Sequence, residues 1–334
     1  MKYLSLFSGI GAFEKALKNI GVNIELVGFS EIDKYAIKSY CAIHRVDESL
    51  NLGDITKIRT DEIPEFDLMT WGFPCQDISV AGKMEGIKEG TRSGLYYEGY
   101  KILKAKRPKY SIIENVKNLA SNRFKSQFES ILKDIEELGY TNYWRVLNAK
   151  DYGIPQNRER VYIISIRNDI LEDKDRKNKI FTFPEPRELN LRLKDMLVDE
   201  EYVSEKYYIN KPFLLNKTPC KTDSEIKVIG ELDIKGHDCI KRVYSINGIA
   251  PTLTNMQGGN RQPKILIDEP VIVSNRGNIT SGMRIRKLLP RECWRLMGFS
   301  DTDFDKAKRA GISDTQLYKQ ARELNSCKRI RGNI

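Results

Sequence analysis

The run Phe73-Pro74-Cys75-Gln76-Asp77 combines a potential nucleophile with residues that orient it. It follows the largely apolar run 66–71, which is typical of a buried strand, so Cys75 lies where a strand meets a loop. Pro74 fixes its own φ and has no backbone N–H, which restricts the direction of the thiol that follows. Gln76 adds a polar amide beside it. These residue types indicate a nucleophilic thiol, and the alternative is a buried cysteine that only fills space.

A carboxylate is predicted to face the same cleft as this thiol. Glu114 follows the apolar run 110–113. In an α/β sheet, ligands bind where the strands have their carboxyl ends. Glu114 therefore has the position of a catalytic acid, and the alternative is a cap for the helix that follows.

Basic residues precede a later predicted strand, at Gln156-Asn157-Arg158-Glu159-Arg160. Alternation along an extended backbone sends Gln156, Arg158 and Arg160 to one face. The pattern predicts that these side chains act together. The alternative is a surface ion pair with Glu159.

Three segments at predicted strand ends carry groups suited to an adenosine ligand. Phe7-Ser8-Gly9-Ile10-Gly11 follows the first strand and opens a helix, where a ligand can approach the backbone. The full GxGxxG pattern is absent because position 14 is glutamate, which argues against a dinucleotide. Glu31, about 20 residues on, has the position of an acid that binds ribose hydroxyls. Asp54, in Gly53-Asp54-Ile55, could accept an adenine amino group. Each acid alone could simply be solvated, but their order indicates adenosine without a pyrophosphate.

Composition confines the chain to a few classes of protein. Hydrophobic residues make up 40% and charged residues 31%, as in a globular protein. No apolar run approaches the ~18 residues of a membrane span. The apolar start lacks the features of a signal peptide, so we expect a cytoplasmic protein. The net charge of +10 suits a polyanionic partner such as nucleic acid. Because the six cysteines form no CxxC pair and there are only two histidines, we expect no metal site.

The spacing of apolar runs predicts an α/β fold with a doubly wound, mostly parallel, Rossmann-like sheet. The predicted strands cover residues 2–7, 24–30, 66–71, 110–113 and 161–166, and the predicted helices cover 12–20, 34–43, 96–106 and 124–138. After about residue 168 the helical pattern fades, and β-type runs at 227–232 and 265–267 indicate a second, smaller, mostly β or irregular domain. Residues 285–299 again have a helical pattern.

In their order along the chain, these motifs resemble those of bacterial and phage DNA (cytosine-5) methyltransferases. The matching motifs are Phe7 through Gly11, Glu31 with Asp33, Gly53-Asp54-Ile55, Gly72 through Gln76, Arg92 through Leu95, Glu114-Asn115-Val116, Gln156 through Arg160, and Arg286 through Phe299. The resemblance implies an S-adenosylmethionine-dependent methyltransferase fold. It also implies a cofactor-binding and catalytic domain over 1–174, a target recognition domain over 175–280, and a return segment over 281–334 that packs on the catalytic domain.

The resemblance further implies a reaction. A methyl group passes from S-adenosyl-L-methionine to carbon 5 of a flipped-out cytosine in a specific duplex DNA sequence, through an adduct of Cys75 at carbon 6. Glu114 would hydrogen-bond ring nitrogen 3 and the exocyclic amine, while Arg160 with Arg158 would hold the base oxygen or fix the loop, and Gln76 lies beside the thiol. The implied cofactor-binding residues are Phe7, Ser8, Gly9, Gly11, Glu31, Ile32, Asp54, Ile55 and Pro74.

DNA contacts are expected in two regions. The glycine-rich segment 79–95 is predicted to close over the flipped base, and it carries Ser79, Lys83 and Arg92; the alternative is an ordinary surface loop. In the recognition domain, the expected DNA contacts are Arg242, Gln257 and Arg261.

The resemblance is compatible with a monomer that belongs to a restriction-modification system, with a cognate restriction endonuclease acting separately. A tRNA cytosine-5 methyltransferase stays an alternative, although RNA is usually read through shape and unstacked bases rather than by a long recognition region. From residue 322 the sequence departs from the family's last motif. We therefore expect weaker cofactor binding, lower stability or lost activity, and a DNA-binding protein without catalysis is the third possible function.

Overall fold

The computed structural model describes residues 1–74, 93–172, 181–215, 225–254, 256, 260–267 and 284–323. Several predicted site residues lie outside the described residues, namely Cys75, Gln76, Ser79, Lys83, Arg92 and Gln257. The departure predicted from residue 322 also falls almost wholly outside them. None of the helices in the described ranges has the length and apolar character needed to cross a membrane.

Within the described ranges the chain divides into two compact units, one formed by residues 1–148 and 159–186 and the other by 149–158 and 187–323. In this division the described part of the predicted return segment, residues 284–323, belongs to the second unit, and the predicted domain boundaries stay a prediction. The packing of that segment on the catalytic domain therefore stays a prediction.

The first unit is built on a six-stranded sheet with the strand order β2-β1-β3-β4-β6-β5. Its elements are β1 (Lys2–Leu6), α1 (Ala12–Asn19), β2 (Glu25–Ser30), α2 (Lys34–His44), β3 (Leu68–Trp71), α3 (Tyr96–Lys106), β4 (Tyr110–Val116), α4 (Lys125–Glu137), β5 (Tyr140–Asn148), β6 (Glu159–Arg167) and α5 (Asn168–Glu172). Strands β1 to β4 are parallel, and the pairs β4–β6 and β5–β6 are antiparallel. The predicted α/β class with a largely parallel sheet is confirmed.

The central strands were predictable because they are buried along most of their length. All four residues of β3 are buried, and so are five of the seven residues of β4. A strand covered on both faces reads as a continuous apolar run. Edge strand β5 was not predicted, because most of its residues are partly exposed and it carries polar side chains within the strand. Asn142 of β5, for example, donates to the carbonyl of Leu132 and accepts from Ser165.

The second unit contains a five-stranded sheet with the strand order β11-β10-β9-β8-β7. Its elements are β7 (Phe213–Leu215), β8 (Val228–Leu232), α6 (Asp238–Lys241), β9 (Arg242–Ser245), β10 (Lys264–Leu266), β11 (Ile285–Lys287), α7 (Pro290–Leu296), α8 (Asp301–Arg309) and α9 (Asp314–Glu323). The helix predicted over 285–299 is wrong at its start, since residues 285–287 pair with β10 as a strand. Pro290 explains the boundary: it disfavours helical backbone in the residue before it and suits the first helical position.

A buried charge network joins β11 to the helix that follows it. The Arg286 side chain is fully buried and makes two hydrogen bonds to the Glu292 carboxylate, at 2.9 and 2.8 Å. Its Nε also donates to Glu200 at 2.9 Å. The Glu292 carboxylate further accepts from the backbone N–H groups of Leu289 and Val198. Buried charges of this kind are tolerated only when they are paired and hydrogen-bonded, as these are.

Candidate active site

The glycine turn after β1 has an unusual backbone. Phe7, Gly9 and Gly11 have φ values of 53°, 55° and 82°. Glycine adopts such values at no steric cost, whereas Phe7 is strained there, and strained residues cluster at functional sites. The turn is fixed to the neighbouring strand, because the N–H of Ser8 donates to the carbonyl of Ser30 at 3.1 Å.

The α1 end of this turn packs tightly against α2. A Cβ atom added to Gly11 would lie 2.1 Å from Nε2 of His44, so no larger residue fits. The same ring nitrogen lies 3.0 Å from the carbonyl oxygen of Ile10. The His44 ring therefore packs directly against the turn at Ile10 and Gly11.

The predicted ribose-binding acid, Glu31, lies beside the glycine turn. Its Oε2 accepts from the N–H of Gly9 at 2.9 Å, and its Oε1 accepts from the N–H groups of Ile32 and Asp33 at 2.8 Å each. Asp33 in turn caps α2, accepting from Tyr35 and Ala36. Glu31 thus ties the glycine turn to the first turn of α2.

The other adenosine-binding candidates lie directly after β2, at Ile32, and in the connection between α2 and β3, at Asp54 and Ile55. Ile32 is 74% exposed, an unusual state for a large apolar side chain. The exposed Asp54 carboxylate accepts from the N–H and the hydroxyl of Thr56, and these hydrogen bonds hold the pKa of Asp54 below its usual range. The neighbouring Ile55 is buried in the core of the first unit.

The residues that lead to Cys75 are held by the end of β4. Trp71 of β3 pairs with Ile113 of β4, so the carboxyl ends of these two strands are neighbours. The Asn115 amide donates to the carbonyl of Phe73 at 3.2 Å. The buried Phe73 ring packs edge-on against Tyr96, with ring centroids 5.5 Å apart. The residue before Pro74 is therefore held in place by its neighbours. Cys75 itself lies outside the described residues.

Glu114 and Arg160 form an ion pair at the end of β4. Nε of Arg160 lies 3.0 Å from Oε1 of Glu114, and the two side chains are only 15% and 10% exposed. The surface ion pair considered for Glu159 is instead made with Lys117, at 2.6 Å. The geometry gives an oriented carboxylate beside a fixed positive charge, at the strand end next to the one that leads to Cys75.

The other two members of the basic motif belong to the second unit, where both are buried. Gln156 forms a bridge to Ala250, and its Nε2 lies 3.8 Å from the sulfur of Met297. The expectation that Gln156 and Arg158 share a face with Arg160 stays a prediction.

The second unit exposes two of the arginines predicted to contact DNA. Arg242 begins β9 and Arg261 precedes β10, and both are exposed. The same sheet also contains a buried residue that the sequence did not indicate. Lys264 is 1% exposed, and its Nζ donates to the carbonyl of Ile240 at 2.6 Å and to that of Asn260. Burial and the charge of Lys287 lower the pKa of Lys264 to about 8.

The chain is similar to known methyltransferases along most of its length. A family model for the C-5 cytosine-specific DNA methylase matches residues 1–322. The orphan methyltransferase M.SPBetaI of Bacillus phage SPbeta is 40% identical, with 96% of this chain and 94% of the relative covered. The type II methyltransferase M.HhaI of Haemophilus parahaemolyticus is 35% identical, with 96% and 89% covered. Among solved structures, the Entamoeba histolytica methyltransferase EhMeth shares the fold with a TM-score of 0.68, at 18% identity over 98% of this chain and 94% of that one.

Proposed function

Because this chain belongs to the C-5 cytosine-specific DNA methylase family, it is a DNA cytosine-5 methyltransferase, and we propose how its residues perform the reaction. The methyl group passes from S-adenosyl-L-methionine to carbon 5 of a cytosine flipped out of a specific duplex sequence. The Cys75 thiolate forms a covalent bond to carbon 6. The observation that carries the proposal is the Glu114–Arg160 ion pair at the strand end beside the one that leads to Cys75.

Covalent addition solves a problem of the substrate. Carbon 5 of cytosine is a poor nucleophile while the ring is aromatic. When the thiolate bonds to carbon 6, the electron pair of the carbon 5–carbon 6 double bond becomes available at carbon 5, which takes the methyl group. A base then removes the proton from carbon 5, the double bond re-forms, and the thiolate leaves.

Glu114 and Arg160 stabilise the charge that this addition creates. Attack at carbon 6 places negative charge on ring nitrogen 3 and the base oxygen. The Glu114 carboxyl group donates a proton in a hydrogen bond to nitrogen 3, which neutralises this charge, and its other oxygen accepts from the exocyclic amine. The Arg160 guanidinium holds the Glu114 side chain in place and adds positive charge nearby. Arg158 holds the base oxygen or fixes the loop, and Gln76 lies beside the thiol. A positive neighbour also favours the thiolate form of a cysteine.

The three turns at the cofactor edge fit S-adenosylmethionine. When bound, this molecule supplies an electrophilic methyl group on a sulfonium. Glu31 offers a carboxylate to the ribose hydroxyls, exposed Ile32 offers an apolar face to the adenine, and Asp54 accepts from the adenine amino group. The methionine part is assigned to the glycine turn with Phe7, Ser8, Gly9 and Gly11, and Ile55 and Pro74 complete the site.

DNA recognition is assigned to the second unit and to the loop that follows Cys75. Exposed Arg242 and Arg261, with Gln257, contact the duplex, and the net charge of +10 favours the phosphate backbone. Ser79, Lys83 and Arg92 contact DNA as the loop closes over the base. We propose a monomer that acts in a restriction-modification system beside a separate endonuclease, since several relatives are named type II methyltransferases.

Labelled methyl transfer tests the proposal. Purified protein, tritiated S-adenosylmethionine and duplex DNA should yield 5-methylcytosine in the DNA, identified by mass spectrometry of the nucleosides. The rate should fall by at least about 100-fold in Glu114→Gln, because one oriented transition-state hydrogen bond is worth about that much. Glu129→Gln is the matched control, since Glu129 lies on α4 and pairs with Lys125 at the surface. Label in tRNA but not in duplex DNA, or an unchanged rate in Glu114→Gln, would contradict the proposal.

A further inference from the structure

The side chain of Asn51 connects the two turns that carry the acids Glu31 and Asp54. Its Nδ2 donates to the carbonyl of Glu31 at 3.1 Å. Its Oδ1 accepts from the N–H of Glu31 at 3.2 Å and from the N–H of Gly53 at 3.1 Å. One amide group therefore pairs with both backbone groups of Glu31 and with the residue before Asp54.

This connection continues a ladder of backbone hydrogen bonds. Phe29 and Asn51 form a parallel bridge, and the N–H of Leu52 donates to the carbonyl of Phe29 at 2.7 Å. The Ser30 hydroxyl donates to the carbonyl of Gly53 at 2.7 Å. Strand β2 ends at Ser30. At the next residue, Glu31, the backbone N–H and carbonyl hydrogen-bond to the Asn51 side chain instead of to a neighbouring strand. The separation between residues 31 and 53 is thus set by side-chain geometry.

Only asparagine supplies these three hydrogen bonds from this position. The two N–H groups require an acceptor, and the Glu31 carbonyl requires a donor, so the amide has one orientation that satisfies all three. Aspartate lacks the donor and adds a charge beside Glu31 and Asp54. Leucine has a similar shape but neither donor nor acceptor.

We propose that Asn51 is a positioning residue that sets the affinity for the adenosine part of the methyl donor. It rests on the proposed function, since it assumes that Glu31 and Asp54 bind the ribose and the adenine. Asn51 fixes the backbone at Glu31 and at Gly53, the residue before Asp54, before the ligand arrives, which lowers the entropy lost on binding. It acts on the ground state of cofactor binding and leaves the methyl-transfer step and DNA binding unchanged.

Two substitutions with one control test this role. In Asn51→Leu, the dissociation constant for S-adenosylmethionine and for S-adenosylhomocysteine should rise by about 10- to 100-fold, because several hydrogen bonds that order the site are lost. Asn51→Asp should show a similar rise. Asp47→Ala is the control: Asp47 accepts from the N–H of Ser49 in the same connection, and its loss removes one hydrogen bond from the segment that leads to Asn51.

Isothermal calorimetry gives the dissociation constants, and steady-state kinetics separates positioning from general destabilisation. The KM for S-adenosylmethionine should rise in both Asn51 variants, with kcat and the KM for DNA within about 2-fold of wild type. A general loss of stability would appear in the Asp47 variant as well. If Asn51→Leu binds the cofactor as tightly as Asp47→Ala, the proposal is wrong.

Amide hydrogen exchange on the free protein keeps this test separate from the proposed function. The N–H groups of Glu31 and Gly53 should be protected in the wild type and should exchange faster in Asn51→Leu, whether or not any cofactor binds. If the wild type binds no S-adenosylmethionine while these amides respond as expected, the proposed cofactor fails and the connection stands. Equal exchange in wild type and variant overturns the connection itself.

Discussion

The two units of this chain hold their functional groups in different ways. In the first unit, the edge proposed to bind the cofactor is made of turns that hydrogen-bond to the end of strand β2, as from Ser8 to Ser30 and from Leu52 to Phe29. Those strands are anchored in an extensive apolar core. In the second unit, the apolar cluster under the sheet is small, formed in the described part by Leu232, Val243, Leu266 and Ile285.

Around this sheet, the second unit buries charged side chains. Arg286 and Glu292 are fully buried and form an ion pair with each other. The buried Lys264 donates hydrogen bonds to two backbone carbonyls. A large core can hold strands so firmly that short turns define a site. A small sheet needs longer side chains to fix its loops, and these bring charges into the interior. The stability of the first unit should therefore be sensitive to side chains that add volume. The stability of the second unit should be sensitive to the loss of a charged partner.

The largest expected effect is the loss of a partner in the second unit. Glu292→Gln removes the charge opposite Arg286 and should lower the free energy of unfolding by about 3–5 kcal/mol, because it leaves a buried charge without its main partner. Urea denaturation measures this. Glu205→Gln is the control, since Glu205 pairs with Arg284 at the surface and should contribute about 1 kcal/mol or less. Equal losses in the two variants would show that the buried network is not what holds this unit.

The next effect is added volume in the first unit. Gly11 and Gly21 have nearly the same φ, 82° and 81°, but a Cβ at Gly11 meets His44 whereas a Cβ at Gly21 meets nothing within 4 Å. Gly21→Ala should cost only the strain of a left-handed backbone, about 1 kcal/mol. Gly11→Ala should cost about 3 kcal/mol through the added clash, and it should abolish cofactor binding. Thermal unfolding compares the stability of the two variants, and calorimetry compares their cofactor binding. Equal stability would mean that α2 is not packed tightly against the glycine turn.

The smallest effect is a pH dependence in the second unit. The pKa of Lys264 is about 8 in the folded protein and about 10.4 in an unfolded chain. Between these values the unfolded chain binds the proton and the folded protein does not, so this residue makes stability increase with pH from 8 to about 10.4. In the middle of this range each pH unit should add about 1.4 kcal/mol of stability relative to Lys264→Met, which lacks the group.

Urea denaturation of both proteins at several pH values isolates this contribution, because all other titrations cancel in the difference. The charged and titratable groups that act on Lys264 are Lys287 of β11 and Cys239 of α6. Lys287→Met should move the rise to higher pH, since the Lys287 charge lowers the pKa of Lys264. A difference between wild type and Lys264→Met that does not change with pH would contradict the assignment.

Sequence patterns predicted the first unit well for a physical reason. Helix α3 occupies the predicted range 96–106, and the central strands lie close to their predicted positions, because both carry regular apolar patterns. Strand β5 has no such pattern, and residues 285–287 join a sheet through a distant partner strand. Their structure depends on pairing with strands elsewhere in the chain, which the local sequence does not indicate.

The candidate site divides in the same way. Motifs at strand ends led to Glu31, Asp54, Glu114 and Arg160, and the structure brings the last two together. Asn51 and Lys264 were not found, because a side chain that hydrogen-bonds to the backbone leaves no spacing pattern in the sequence. They resemble ordinary polar residues until their partners are known.

Covalent trapping tests the central claim, that Cys75 attacks cytosine in duplex DNA while the methyl donor is bound. The DNA is synthesised with 5-fluorocytosine at every cytosine, so that any target sequence is present, and the fluorine on carbon 5 prevents release of the enzyme. The account predicts a complex that survives denaturing electrophoresis, requires S-adenosylmethionine and is absent with Cys75→Ser. A protein that binds this DNA and the cofactor but forms no such complex, or a complex that persists in Cys75→Ser, would contradict it.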